Sequence, residues 1–189
     1  MVRHTPLINY ALYQVGWFAC VLGAASHRPW TGCLIAVTLI GVHLALSPDR
    51  SREVLLVCVA TAAGAVVETV QIAAGAYRFT SGTVIDALPP PWLLVMWGQC
   101  ATTFRFSART VMTRPGWAAL CGAAGGPLAF LAGERLGAVE LLPPLMHGLL
   151  RLSVGWAIAL ASLSVFLGRV TPAPRASRYR SVGKTGWSV

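Results

Sequence analysis

Residues 54–76 read VLLVCVATAAGAVVETVQIAAGA, and the only charge among them is Glu68. A helix needs about 20 apolar residues to cross the hydrocarbon core of a bilayer, and this run exceeds that length. Thr61, Gly64, Glu68, Gln71 and Gly75 recur at spacings of three and four, so they share one narrow, small and polar face. A face of that kind is expected to point into a helix bundle, with the aliphatic remainder toward lipid. The run therefore predicts a membrane span that carries its own buried site.

Reading outward gives five more apolar runs: Leu7–Ala25, Trp30–Leu46, Leu88–Phe104, Trp117–Ala132 and Leu149–Gly168. With 56% hydrophobic and 11% charged residues in a chain of 189, against about 25% charged in a soluble domain, the expected fold class is all-α. It is a polytopic membrane bundle of about six transmembrane helices, one domain over residues 1–168 followed by a basic, disordered tail over 169–189. Pro89-Pro90-Pro91 shortens the fourth span, since proline suits only a first helical turn. Gly126-Pro127 predicts a kink in the fifth. The first run is too long for a signal peptide's apolar region of about 7–15 residues and is expected to remain as a span. Ser47-Pro48-Asp49 reads as a turn and helix start. The longer connections, Tyr77–Ala87 and Gly133–Gly148, are expected to lie along the membrane surface.

The net charge of +9 is topogenic in this reading. With the amino terminus in the cytoplasm, Arg3, Arg50, Arg52, Arg105, Arg109, Arg114, Arg169, Arg175, Arg178, Arg180 and Lys184 fall inside. Arg28, Arg78, Arg135 and Arg151 fall outside. That asymmetry follows the positive-inside rule, so both termini are expected to be cytoplasmic. The basic residues are not gathered on one solvated face, which excludes a nucleic-acid footprint. The tail is expected to touch anionic headgroups.

Chemistry-bearing motifs are sparse. Cys20, Cys33, Cys58, Cys100 and Cys121 lie in five different runs and read as packing residues, with no metal site or disulfide expected. Nucleophile elbows, zinc-binding pairs, phosphate loops and flavin fingerprints are missing, and no cofactor is expected. His43 has no acidic or cysteine neighbour at helical spacing and reads as a satisfied or snorkelling side chain. Trp30 and Trp117 read as interfacial belt residues. Gly122 and Gly126 form a small-x-x-x-small pair that marks close helix packing.

Glu68 is then the most informative residue. An ionised side chain at a helix centre costs about 2.5–3.5 kcal/mol on insertion scales, so it needs a partner or a proton. It lies about 21 Å into its helix at 1.5 Å per residue, at a depth matching Arg151 near the outer end of the last span. The expectation is that Glu68 and Arg151 approach one another, with His147 a turn away, at the centre of an outward-facing cavity. Further candidates for that site are Gln71, Trp92 and Gln99, with Asn9 and Gln14 as buried polar residues of the first span.

Asn9, Gln14, Trp17-Phe18, Cys20, Pro91-Trp92, Trp97, Gly125-Gly126-Pro127 and Ala132-Gly133 together resemble the bacterial inner-membrane proteins grouped as domain of unknown function 2878. The resemblance runs from Pro6 to Gly168. It implies a compact multi-spanning protein of unassigned activity. Genes of that family stand near cyclopropane-fatty-acid-synthase-like methyltransferases and flavin amine oxidases, which implies a role around membrane lipids. The family pattern more often carries aspartate at the position of Glu68 and Leu-Asn at Phe104-Arg105.

The expected function is that of an inner-membrane accessory binding a lipid or acyl-chain-like ligand. Two rivals are a membrane-embedded enzyme using Glu68 as acid or base, and a small-solute or proton-coupled carrier.

Overall fold

The computed structural model describes residues 6–171. Arg3, Arg175, Arg178, Arg180, Lys184 and the expected headgroup-binding arm lie outside the described residues. Seven helices and two short strands follow one another: α1 (Pro6–Ala25), α2 (Pro29–Leu46), α3 (Arg50–Ala73), β1 (Tyr77–Phe79), α4 (Pro91–Ala101), α5 (Arg109–Met112), α6 (Pro115–Leu136), β2 (Val139–Leu141) and α7 (Leu145–Val170). The chain is an all-α bundle with one small two-stranded sheet. α7 runs two residues beyond the boundary set at Gly168.

Local sequence explains the limits. Proline sits in the first turn of α2, α4 and α6, where its missing donor is unneeded. The Asp49 side chain caps α3 by accepting from the Arg52 amide at 3.5 Å, as the Ser47-Pro48-Asp49 reading anticipates. Gly137, in the left-handed region at φ 88°, ends α6, a conformation open to glycine because it has no Cβ.

Five helices, α1, α2, α3, α6 and α7, are long and apolar enough to cross a membrane. Their outer faces carry residues such as Leu34, Val66, Leu128 and Ile158, all exposed, while carboxylates are hidden within. That is the inverse of a soluble protein. This is a multi-pass membrane protein.

The fourth of the six expected spans differs. α4 has 11 residues, about 16 Å at 1.5 Å each, roughly half of the hydrocarbon core. It gives way to turns in which the amides of Thr102, Thr103 and Phe104 bond to the carbonyls of Gln99, Cys100 and Ala101. The hydroxyls of Thr102 and Thr103 donate to the same Gln99 and Cys100 carbonyls. All three residues of that turn are buried. Irregular backbone at membrane depth is tolerated where protein encloses it, so the extended apolar run 88–104 does not become one helix.

α4 is enclosed by α1, α2 and α3, while α7 bridges α3 to α6. α6 and α7 pack closely because Gly122 and Gly126 leave room for the Trp156 backbone and ring, and the Ser153 hydroxyl donates to the Ala123 carbonyl at 2.8 Å. α1 and α6 scarcely touch. A seam therefore opens between them.

The connections expected to lie flat on the membrane pair instead. β1 and β2 are antiparallel, with Tyr77 opposite Leu141, Arg78 opposite Glu140 and Phe79 opposite Val139. Alternation along each strand turns Tyr77, Phe79 and Val139 inward and leaves Arg78 and Glu140 exposed.

Candidate functional site

A cavity of about 210 Å³ lies behind the seam. α1 contributes Tyr13, Trp17 and Val21, successive turns of one face. α6 contributes Cys121, Gly125 and Ala129, also at spacings of four. α4 supplies Trp92, Met96 and Trp97, α7 supplies Trp156, and the two-stranded sheet covers one end with Phe79 and Val139. The rings interlock: Phe79 meets Trp92 edge-on at 5.5 Å, and Trp97 and Trp156 lie 4.5 Å apart. The lining is almost wholly apolar and aromatic.

Glu68 lies behind that aromatic wall. It is 0% exposed and is not among the lining residues. Its Oε1 accepts from the Trp97 indole at 2.9 Å, and its Oε2 accepts from the Tyr77 hydroxyl. Gly64, one turn earlier on α3, makes this possible, since a Cβ there would collide with the Trp97 ring. The buried Trp156 N–H lies toward the same carboxylate without meeting hydrogen-bond geometry. Burial, and next the Glu68 carboxylate, push the Tyr77 phenol well above its ordinary pKa. Both carboxylate oxygens thus face neutral donors.

The expected meeting of Glu68 and Arg151 does not occur. Arg151 Nη1 donates to the Ala74 carbonyl at 2.7 Å, and the residue is exposed. Matched depth was met without matched azimuth: Gln71, less than a turn beyond Glu68, faces Arg151's backbone and donates to its carbonyl at 2.8 Å. Among the described residues no cation forms an ion pair with Glu68.

Of the other expected site residues, Trp92 lines the cavity and its indole donates to the Ser81 carbonyl at 3.2 Å. Gln99 packs over Gly16, donates to the Leu12 carbonyl at 3.2 Å and leaves its Oε1 buried without a partner. Asn9 ties α1 to the irregular turn, donating to the Thr102 carbonyl at 3.2 Å and accepting from the Ser107 hydroxyl at 2.6 Å. Gln14 is half-buried and away from the cavity. Glu68, Gln71, Gln99 and Arg151 are therefore not among the residues that line the cavity.

A second polar cluster lies at the opposite end of α3. Glu53, 1% exposed, accepts from Arg105 Nη1 at 2.8 Å and meets His43 Nε2 at 3.1 Å. His43, expected to have no acidic neighbour at helical spacing, finds one across the α2–α3 turn. No group of three or more His, Cys, Asp or Glu capable of holding a metal occurs among the described residues.

The profile of the family described as Protein of unknown function (DUF2878) matches residues 6–162. The chain belongs to that family. The match covers α1 through most of α7 and hence every residue of the cavity and both carboxylate clusters. Comparison with curated proteins and with solved structures finds no match.

Trp97 and Trp156 carry more of the site than the sequence reading assigns them. Their signal was position: both stand in mid-span, where interfacial anchoring does not explain an indole whose N–H needs a partner.

Proposed function

We propose that this protein binds a membrane lipid or acyl-chain-like ligand that enters sideways from the bilayer through the α1–α6 seam, as an accessory in membrane lipid metabolism. The observation that carries the reading is the aromatic cavity behind the seam. At about 210 Å³ it exceeds the roughly 150 Å³ apolar cavity that stays dry and takes up benzene. It is smaller than the about 300–1,000 Å³ of pockets that swallow drug-sized molecules. Such a volume holds one ring, one compact headgroup or a chain end, with the rest of the ligand left in the membrane.

We place the protein in a bacterial inner membrane with both termini cytoplasmic, so that the end bearing the β1–β2 sheet faces outward. Arginine asymmetry supports this orientation. Glu68 contributes no surface to the cavity, which weighs against an acid or base acting directly on a ligand there.

The test is photolabelling in nanodiscs with a diazirine-bearing phospholipid or fatty acid. Labelled peptides are expected to map to Tyr13–Val21 and Cys121–Ala129. Gly125→Trp, at a position where an added Cβ meets nothing within 4 Å, should fill the seam and abolish that labelling. Labelling spread evenly over the lipid-facing helices and indifferent to Gly125→Trp overturns the reading.

A further inference from the structure

Glu68 is a carboxylate enclosed by protein, met among the described residues by hydrogen-bond donors and by no cation. An indole N–H can only donate, so the oxygen facing Trp97 acts as an acceptor, and a buried negative charge is tolerated where something positive balances it. Among the described residues no cation pairs with Glu68. One ring away lies a cavity walled by Trp17, Trp92, Trp97, Trp156, Phe79 and Phe130. Aromatic faces attract cations within about 6 Å of the ring centroid, and cages of such rings are the recurrent means of recognising quaternary ammonium groups. Trp97 donates its N–H to Glu68, a bond that polarises the indole toward greater negative charge on its face. Trp156, whose ring lies 4.5 Å from that of Trp97, completes the wall between carboxylate and cavity.

We infer that the part of the ligand held in the cavity is a quaternary or fully methylated ammonium group, resting on the indole faces and balanced through them by Glu68. This rests on the reading of the cavity as a ligand site. The same chemistry is offered by a phosphocholine-type lipid headgroup entering through the seam and by a free quaternary amine.

The experiment titrates the full chain, in nanodiscs of phosphatidylglycerol, with choline and with its uncharged isostere 3,3-dimethylbutan-1-ol, following tryptophan emission. Choline is expected to bind at least tenfold more tightly. Glu68→Gln, which leaves the aromatic faces in place, should narrow the ratio of the two affinities at least threefold without abolishing it. Trp17→Leu, which removes one aromatic face without touching Glu68, should lower choline affinity at least threefold and narrow the ratio, so that misfolding of Glu68→Gln leaves the inference testable. Repetition in phosphatidylcholine nanodiscs separates the sources: weakened choline binding there indicates a lipid headgroup, and unchanged binding a free amine. Equal binding of choline and isostere by the wild type overturns the inference. So does binding of neither while the seam is still photolabelled, in which case the lipid site stands without a cation. If the seam is not labelled either, the lipid site falls as well.

Discussion

Glu53 and Glu68 lie on one stripe of α3, fifteen residues and about 22 Å apart at 1.5 Å per residue, and are equally hidden at 1% and 0% exposure. Their surroundings are opposite. Glu53 is answered from two other segments, by the Arg105 guanidinium and the His43 ring, and Arg105 completes a charge pair within the fold. Glu68 is answered by a tyrosine and a tryptophan, which satisfy its lone pairs and bring no positive charge. Burial alone therefore does not distinguish a structural carboxylate from one beside a ligand site. The charge of the partners does. Glu53 pins the turn after α4 to the α2–α3 corner, whereas Glu68 pins the β1–β2 sheet, through Tyr77, to the wall of the cavity.

The comparison breaks most visibly at Glu53. Removing one partner of a buried pair costs about 3–5 kcal/mol because a charge is stranded. Arg105 keeps 22% of its side chain exposed, so Arg105→Met is expected to cost about 3 kcal/mol, near the lower end of that range. The double variant Glu53→Gln/Arg105→Met strands no charge and should cost less than the two single changes summed. Unfolding in mixed detergent measures all three; strict additivity would show that the two groups do not act as a pair.

Tyr77→Phe sharpens the other half. A hydrogen bond to a charged group contributes about 1.5–3 kcal/mol and a neutral one about 0.5–1.5, so a loss near 2 kcal/mol identifies Glu68 as an anion. A loss well under 1 kcal/mol would mean that Glu68 already holds a proton. The same variant has a pH signature. The Tyr77 phenol is raised in the folded protein, chiefly by burial and then by Glu68. Its contribution is whole below the ordinary phenol pKa of about 10 and is lost as pH rises toward the folded value. From about pH 10 the stability gap between wild type and Tyr77→Phe should narrow by up to about 1.4 kcal/mol per pH unit. Denaturation at pH 8 and pH 11 checks the sign, and a gap that widens contradicts it.

What the sequence made legible followed from periodicity. The stripe Thr61, Gly64, Glu68, Gln71 faces the interior as its spacing requires, and five of the six expected spans are long helices. Gly75, the last of that series, lies past the end of α3 at φ 67° and is exposed. Extended backward by threes and fours, the stripe passes Ala60 and Leu56 to Glu53. Starting the span at Val54 hid that residue. Three features were not readable for physical reasons. Antiparallel pairing of 77–79 with 139–141 joins segments about sixty residues apart, with three helices between them and no turn signature to announce it. α4 stops after Ala101 because tertiary enclosure satisfies its turn, which overrides apolar length. Depth along a helix can be counted from topology, but azimuth between helices cannot, and the expected pairing of Glu68 with Arg151 failed on azimuth.

The smallest effect is expected at the outer face of the β1–β2 sheet, where a third carboxylate has a full cationic partner and little consequence. Arg78 and Glu140 form a two-pronged contact at 2.9 and 3.0 Å, with side chains 69% and 50% exposed. Exposed ion pairs contribute about 0.2–1 kcal/mol and are screened by salt, so Arg78→Gln should cost under 1 kcal/mol and nothing measurable at high ionic strength. Phe79→Ala, one residue along and facing inward against Trp92, opens the end of the cavity and should weaken photolabelling at the seam where Arg78→Gln leaves it intact. If the exposed substitution disturbed labelling as much as the buried one, the two-stranded sheet would be held in place by its surface pair. The distinction drawn along α3, that a carboxylate's place in the mechanism follows from what answers its charge, would then fail at the strand that caps the cavity.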